Sequence, residues 1–180
     1  MHHATVTLLA ILTAAAIWLG GCNPGQISGG EAKLQAEGGS AGLLDRLSSA
    51  ENVSENDAFH SLLMLLEGKD EHETFARRVA ALRERKLLDE TWDFQADRPI
   101  TRGKVAYMVY QACHVPGGLI LTLTGPSQRY CLRELQYREM MTDGAVYTPV
   151  SGMEFVAVLT RADHYLQTGD IPDTLRTAGG

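Results

Sequence analysis

The chain has 180 residues, enough for one ordinary domain plus linkers. Its 16 basic and 22 acidic residues leave a formal net charge of -6 with no basic tract, which argues against a nucleic-acid partner. No glycine-rich phosphate loop, Gly-x-Ser-x-Gly elbow or Cys-x-x-Cys pair occurs, and His60, His72, His114 and His164 fall at no metal-ligand spacing. Neither an enzyme, a cofactor nor a metal is therefore expected.

From Val6 to Leu19 there is no charged residue, and the run closes on Leu19-Gly20-Gly21-Cys22. Its 14 residues fall short of the ~20 that span a hydrocarbon core, so no retained transmembrane helix is expected. Two glycines let a protease approach the backbone, and Cys22 supplies a nucleophilic sulfur. The pattern resembles the lipobox of bacterial lipoproteins. That resemblance implies removal of residues 1–21 as a signal peptide, a diacylglycerol on Cys22, and a membrane anchor through it. Asn23 after the cysteine implies a periplasm-facing site on the outer membrane more than the inner.

Residues 22–50 are rich in Gly, Ser, Ala and Glu and read as a flexible tether. Near its end, Leu43-Leu44-Asp45-Arg46-Leu47 is amphipathic and can form one helical turn or two. The domain proper is placed at residues 51–168, and residues 169–180 read as a frayed tail.

Within the domain one pattern occurs three times: Val53-Ser54, Ile100-Thr101 and Val150-Ser151 each precede an apolar helical stripe. The starts lie 47 and 50 residues apart, a spacing found in repeat architectures. Each hydroxyl can cap a helix by accepting from a first-turn amide. The apolar residue before each cap can pack on the one four after it, pairing Val53 with Ala58, Ile100 with Val105 and Val150 with Phe155. Asp57 and Glu154, three after their caps, can bond back to the cap amide. The stripes that follow are Phe59, Leu62, Leu63 and Leu66; Val105, Met108, Val109 and Ala112; and Phe155, Val158, Leu159 and Ala162.

A further helix precedes the second and third starts, over Phe75 to Leu88 and Tyr130 to Met141. Aligning Leu82 with Leu135 also aligns Val79 with Leu132 and Leu88 with Met141. The unit is therefore helix, short loop, stapled helix, and the first copy is incomplete or uses the Leu43 to Leu47 turn. Between Pro116-Gly117-Gly118 and Gly125-Pro126, Leu119 to Thr124 alternates apolar residues and threonine and reads as a short strand at 119–124 or an extended strap. Cys113 and Cys131 fall in helical segments; an oxidising compartment permits a disulfide between them without requiring one. The fold class is mainly α: a compact helical bundle of about three pseudo-repeats.

The unit is similar to the S-layer homology domain, over roughly Val53 to Tyr165. Leu82 to Leu88, the loop through Pro99, Ile100-Thr101-Arg102 and Val105-Ala106 carry the likeness best. The third copy keeps Val150-Ser151, Glu154-Phe155 and Arg161-Ala162 but has Gly152 where the second has Arg102, and the first has Glu55 there. The resemblance implies a pseudo-threefold bundle that binds envelope polysaccharide, with Arg102 touching an anionic sugar group beside Thr101.

Helix electrostatics also single out Arg102. A cation in a first helical turn opposes the macrodipole, yet only the middle copy puts Arg102 and Lys104 there. Together with Thr101 they would suit a carboxylate or phosphate. The alternative is that Glu90, Asp93 or Asp97 neutralises them and both are solvated. Tyr107 and Tyr110 can stack on sugar rings, though burial against a neighbouring helix is the better reading. Asp70-Glu71-His72-Glu73 reads as a solvated loop, and Asp163-His164 as a helix end rather than a dyad. The functional expectation is a lipid-anchored envelope protein that binds cell-wall polysaccharide. The rival is an envelope protein–protein interaction adaptor.

Overall fold

The computed structural model describes residues 42–170. The segment expected to be a lipobox with Cys22, most of the expected tether and nearly all of the expected tail lie outside the described residues. Within them the chain is a helical bundle: α1 (42–48), α2 (Glu55–Glu67), α3 (Phe75–Glu84), α4 (Arg102–Ala112), α5 (Leu119–Thr124), α6 (Gln128–Tyr137) and α7 (Gly152–Thr168).

Local chemistry sets where these helices begin. Ser54, Thr74, Thr101, Ser127 and Ser151 cap α2, α3, α4, α6 and α7, each hydroxyl accepting from the amide three residues on, at 3.0 to 3.4 Å. Such a cap contributes about 1 kcal/mol. All six staple residues, from Val53 and Ala58 to Val150 and Phe155, are buried. The capping-box expectation is corrected: Asp57 and Glu154 turn their carboxylates to Arg46 and Arg102 instead.

The three staple residues close a ring of main-chain bonds. Val53 N–H donates to the Val150 carbonyl at 3.0 Å, Val150 N–H to Ile100 at 3.0 Å, and Ile100 N–H to Val53 at 2.9 Å. Two residues on, Glu55 N–H donates to Arg98, Arg102 N–H to Thr148 and Gly152 N–H to Ala50, again in threefold relation. Buried extended residues leave polar backbone groups that need partners, and the ring supplies them without a sheet. Isolated antiparallel bridges join Ser54 to Pro99 and Thr101 to Pro149. Around this hub α2 packs on α3 and α7, α4 on α6, and α5 on α6.

The repeat extends to helix ends. Lys86 and Glu139, equivalent under the Leu82–Leu135 alignment, both take φ of 58°. After each the same bond forms, Leu87 N–H to Leu82 and Met140 N–H to Leu135. These left-handed caps stop α3 and α6 four residues before Leu88 and Met141, the ends expected from periodicity. Leu87, Leu88, Met140 and Met141 are buried nonetheless, from non-helical backbone.

Two expectations change. The strand expected at 119–124 is helix α5: a lone strand would leave its backbone unpaired, whereas Thr122 N–H bonds Gly118 and Gly125 N–H bonds Leu121 within the helical turn. The domain also starts earlier than residue 51. Leu47 of α1 is 2% exposed and joins the core, so this segment completes the first unit. Cys113 and Cys131 are free thiols, both buried.

Candidate functional site

The caps place Glu55, Arg102 and Gly152 at equivalent points, with Asp57, Lys104 and Glu154 two residues further on. Neighbouring units are bridged between these two positions. Glu55 Oε1 accepts from Lys104 Nζ at 2.5 Å, and Glu154 Oε1 accepts from Arg102 Nη2. The same bridge is thus built twice with its charges reversed. At the third junction Gly152 has no side chain, and Asp57 Oδ1 pairs instead with Arg46 at 3.2 Å.

Arg102 is 6% exposed, and its guanidinium also donates to the carbonyls of Thr142 and Asp143 and to Thr142 Oγ1. Lys104 Nζ lies 4.6 Å from the Phe94 ring centre and 3.4 Å from the Asp93 carbonyl. Thr101 Oγ1 is occupied by its cap. Of the residues expected to contact a ligand, Thr101 thus caps its own helix, and Arg102 and Lys104 join neighbouring units. Their neutralising carboxylates are Glu55 and Glu154 rather than Glu90, Asp93 or Asp97. Reversing the helix-dipole preference is tolerable here because each cation meets a carboxylate from another unit.

Glu55 is fully buried and also accepts from Gln95 N–H at 2.7 Å and from Arg98. This fixes the loop after α3, which carries Trp92 and Phe94. Tyr107, Trp92, Phe94, Phe59 and Phe75 then form a chain of ring contacts with centroids 5.0 to 6.2 Å apart. Its outer end opens as a groove of about 370 Å³ lined by Phe75, Val79, Arg83, Trp92, Asp93 and Phe94. Arg83 sits 5.7 Å from the Phe94 centroid and donates from Nη2 to the Trp92 carbonyl. Its Nε is shielded yet has no hydrogen-bond acceptor; Glu90 Oε2 is 3.8 Å away. An aromatic wall beside a partly unsatisfied guanidinium can take a sugar ring bearing an acidic group.

The sequence reading missed this groove. Its signal was two aromatic residues, Trp92 and Phe94, alternating with polar ones in a loop otherwise rich in charge. Tyr107 is buried in the core and Tyr110 half-buried, as the burial reading expected, and burial raises both phenols above the usual tyrosine range.

Of the acidic run after Gly68, Asp70 departs from expectation. Its side chain is fully buried and accepts from His60 Nδ1 at 2.6 Å, Arg78 Nε at 2.5 Å and His72 N–H at 2.9 Å, while Glu71 and Glu73 are exposed. Asp163 accepts from Gln167. Among the described residues no group of His, Cys, Asp and Glu could hold a metal, and no helix is long and apolar enough to cross a membrane. No family model, curated protein or solved structure matches the chain.

Proposed function

We propose that this is a lipid-anchored protein of the bacterial cell envelope, held by an acylated Cys22, whose domain is of S-layer-homology type and binds wall polysaccharide without catalysis. The observation that carries the reading is the closed ring of Val53, Ile100 and Val150, the threefold meeting of stapled helix starts that the resemblance implies. Ligand contact is assigned to the groove of Phe75, Arg83, Trp92 and Phe94, because Arg102 and Lys104 are committed to joining the units. Trp92 offers a face for a sugar ring, and the Arg83 guanidinium a positive charge for its acidic substituent. Asn23 after the lipobox favours the outer membrane as the anchorage.

The test is sedimentation of a chain beginning at Asn23 with isolated wall material. Wild type is expected to sediment. Arg83→Gln is expected to weaken sedimentation about tenfold, the loss of one charge-assisted contact, while its melting temperature stays near wild type. Wild type that never sediments with wall material would overturn the reading and favour a protein-binding adaptor. The anchor is checked separately: mass spectrometry of the membrane-extracted protein should find an N-terminal Cys22 carrying acyl chains, and an unacylated mature protein would refute it.

A further inference from the structure

Seven residues, Gly68 to Thr74, join α2 to α3, whereas fifteen, Cys113 to Ser127, join the equivalent α4 to α6. The longer link carries α5, which the first unit lacks. Leu121 turns inward and is 6% exposed, but Leu119 and Leu123, one turn apart, are 77% and 75% exposed. The base of the arm is held: Arg138 Nη2 donates to the Pro116 carbonyl at 2.7 Å, and Gly117 lies against the Tyr110 hydroxyl. The fold therefore presents two leucines to the outside from a fixed platform, at a place where the repeat itself needs no helix.

What surrounds them narrows the occupant. Arg129, Arg133 and Tyr137 follow at one-turn spacing along α6, all exposed, with Tyr137 at 85%. Neither Arg129 nor Arg133 forms an ion pair or side-chain hydrogen bond among the described residues. Between Leu119 and Arg138 there are three arginines against one glutamate, Glu134, and that glutamate is occupied by Arg138. Although the chain has a net charge of -6, this described face thus sets two exposed arginines without carboxylate partners beside two exposed leucines. Protruding leucines, flanking arginines and a boundary tyrosine match, in that order, the acyl region, the phosphates and the interface of a bilayer.

We propose that the α5–α6 face docks on an anionic phospholipid surface. This is independent of wall binding by the aromatic groove. The probe is the chain beginning at Asn23, which has no acyl group and keeps every described core residue, Leu47 to Ala162. It is sedimented at low salt with vesicles of equal parts phosphatidylglycerol and phosphatidylcholine, and with phosphatidylcholine alone. Expected are binding about tenfold or more stronger to the anionic vesicles, and a further loss of about tenfold or more in Leu119→Ser/Leu123→Ser. Arg129→Gln/Arg133→Gln should bind both vesicle types alike. All four positions are exposed, so unchanged thermal melts should certify the variants. Wild type that binds neither vesicle, or binds them equally, would overturn the proposal, as would variants that bind like wild type. Capture of an acidic envelope protein by this face without vesicle binding would overturn it also. Wall sedimentation is read in parallel, so failure here and failure of the wall-binding reading remain distinct.

Discussion

At the scale of single residues, the polar groups most prominent in the sequence are used up inside the molecule. Arg102, expected as a ligand contact, is surrounded by Glu154, Thr142 and the Asp143 carbonyl. Arg102→Met should therefore act on stability, leaving the largely buried Glu154 carboxylate unpaired at a cost of about 3–5 kcal/mol by urea denaturation. A variant that is as stable as wild type but fails to bind wall material would restore Arg102 as a ligand residue. The cysteines are likewise internal. Burial pushes the Cys113 thiol up to about 11 and that of Cys131 up to about 12. At pH 8 a chain beginning at Asn23 should react with a thiol reagent at least about 100-fold more slowly than unfolded chain, and both thiols should become reactive in denaturant. Fast labelling of the native protein would contradict their burial.

At the scale of elements, α2 and α3 are clasped across the Gly68–Thr74 link by Asp70. Burial alone would raise its carboxyl. The bonds from His60, Arg78 and His72 N–H outweigh burial and hold it below the usual aspartate range. A carboxyl lowered in the folded state stabilises fully above its unfolded value of about 3.9 and loses that contribution as pH falls through the folded value. The wild-type urea midpoint should therefore drop as pH is lowered from about 5 towards 2, and Asp70→Asn should be less stable at neutral pH with a shallower acid slope. An undiminished acid slope in Asp70→Asn would place the effect on other carboxylates. The element boundaries show what periodicity hides: Lys86 and Glu139 are not glycine, so nothing local in either residue announces a left-handed cap. Leu119 to Thr124 hides its helix for a related reason. Alternation suggests a strand, but a strand without a neighbour cannot satisfy its backbone, and helix formation satisfies it within the segment.

At the scale of the whole molecule, closure depends on the segment that composition assigned to the tether. A Cβ on Gly152 would lie 1.7 Å from the Leu47 carbonyl and 2.8 Å from that of Ala50, so only glycine lets α1 reach the start of α7. Gly152→Ala should displace α1, expose Leu47, and destabilise by about 2–5 kcal/mol in urea. Gly42→Ala, with nothing within 4 Å, should shift stability by no more than about 1 kcal/mol. Equal effects of the two would mean that α1 does not close the bundle. The sequence by itself determined the three stapled starts, the apolar stripes behind them and the mainly helical class, because caps and periodicity act over a few residues. Tertiary structure decided the rest. Only the meeting of Val53, Ile100 and Val150 shows that the starts share one hub, and only there do Glu55 and Lys104, 49 residues apart, become partners. Whether a cation binds a ligand or a neighbouring unit depends on which carboxylate the fold brings within reach, and sequence spacing carries no record of that distance.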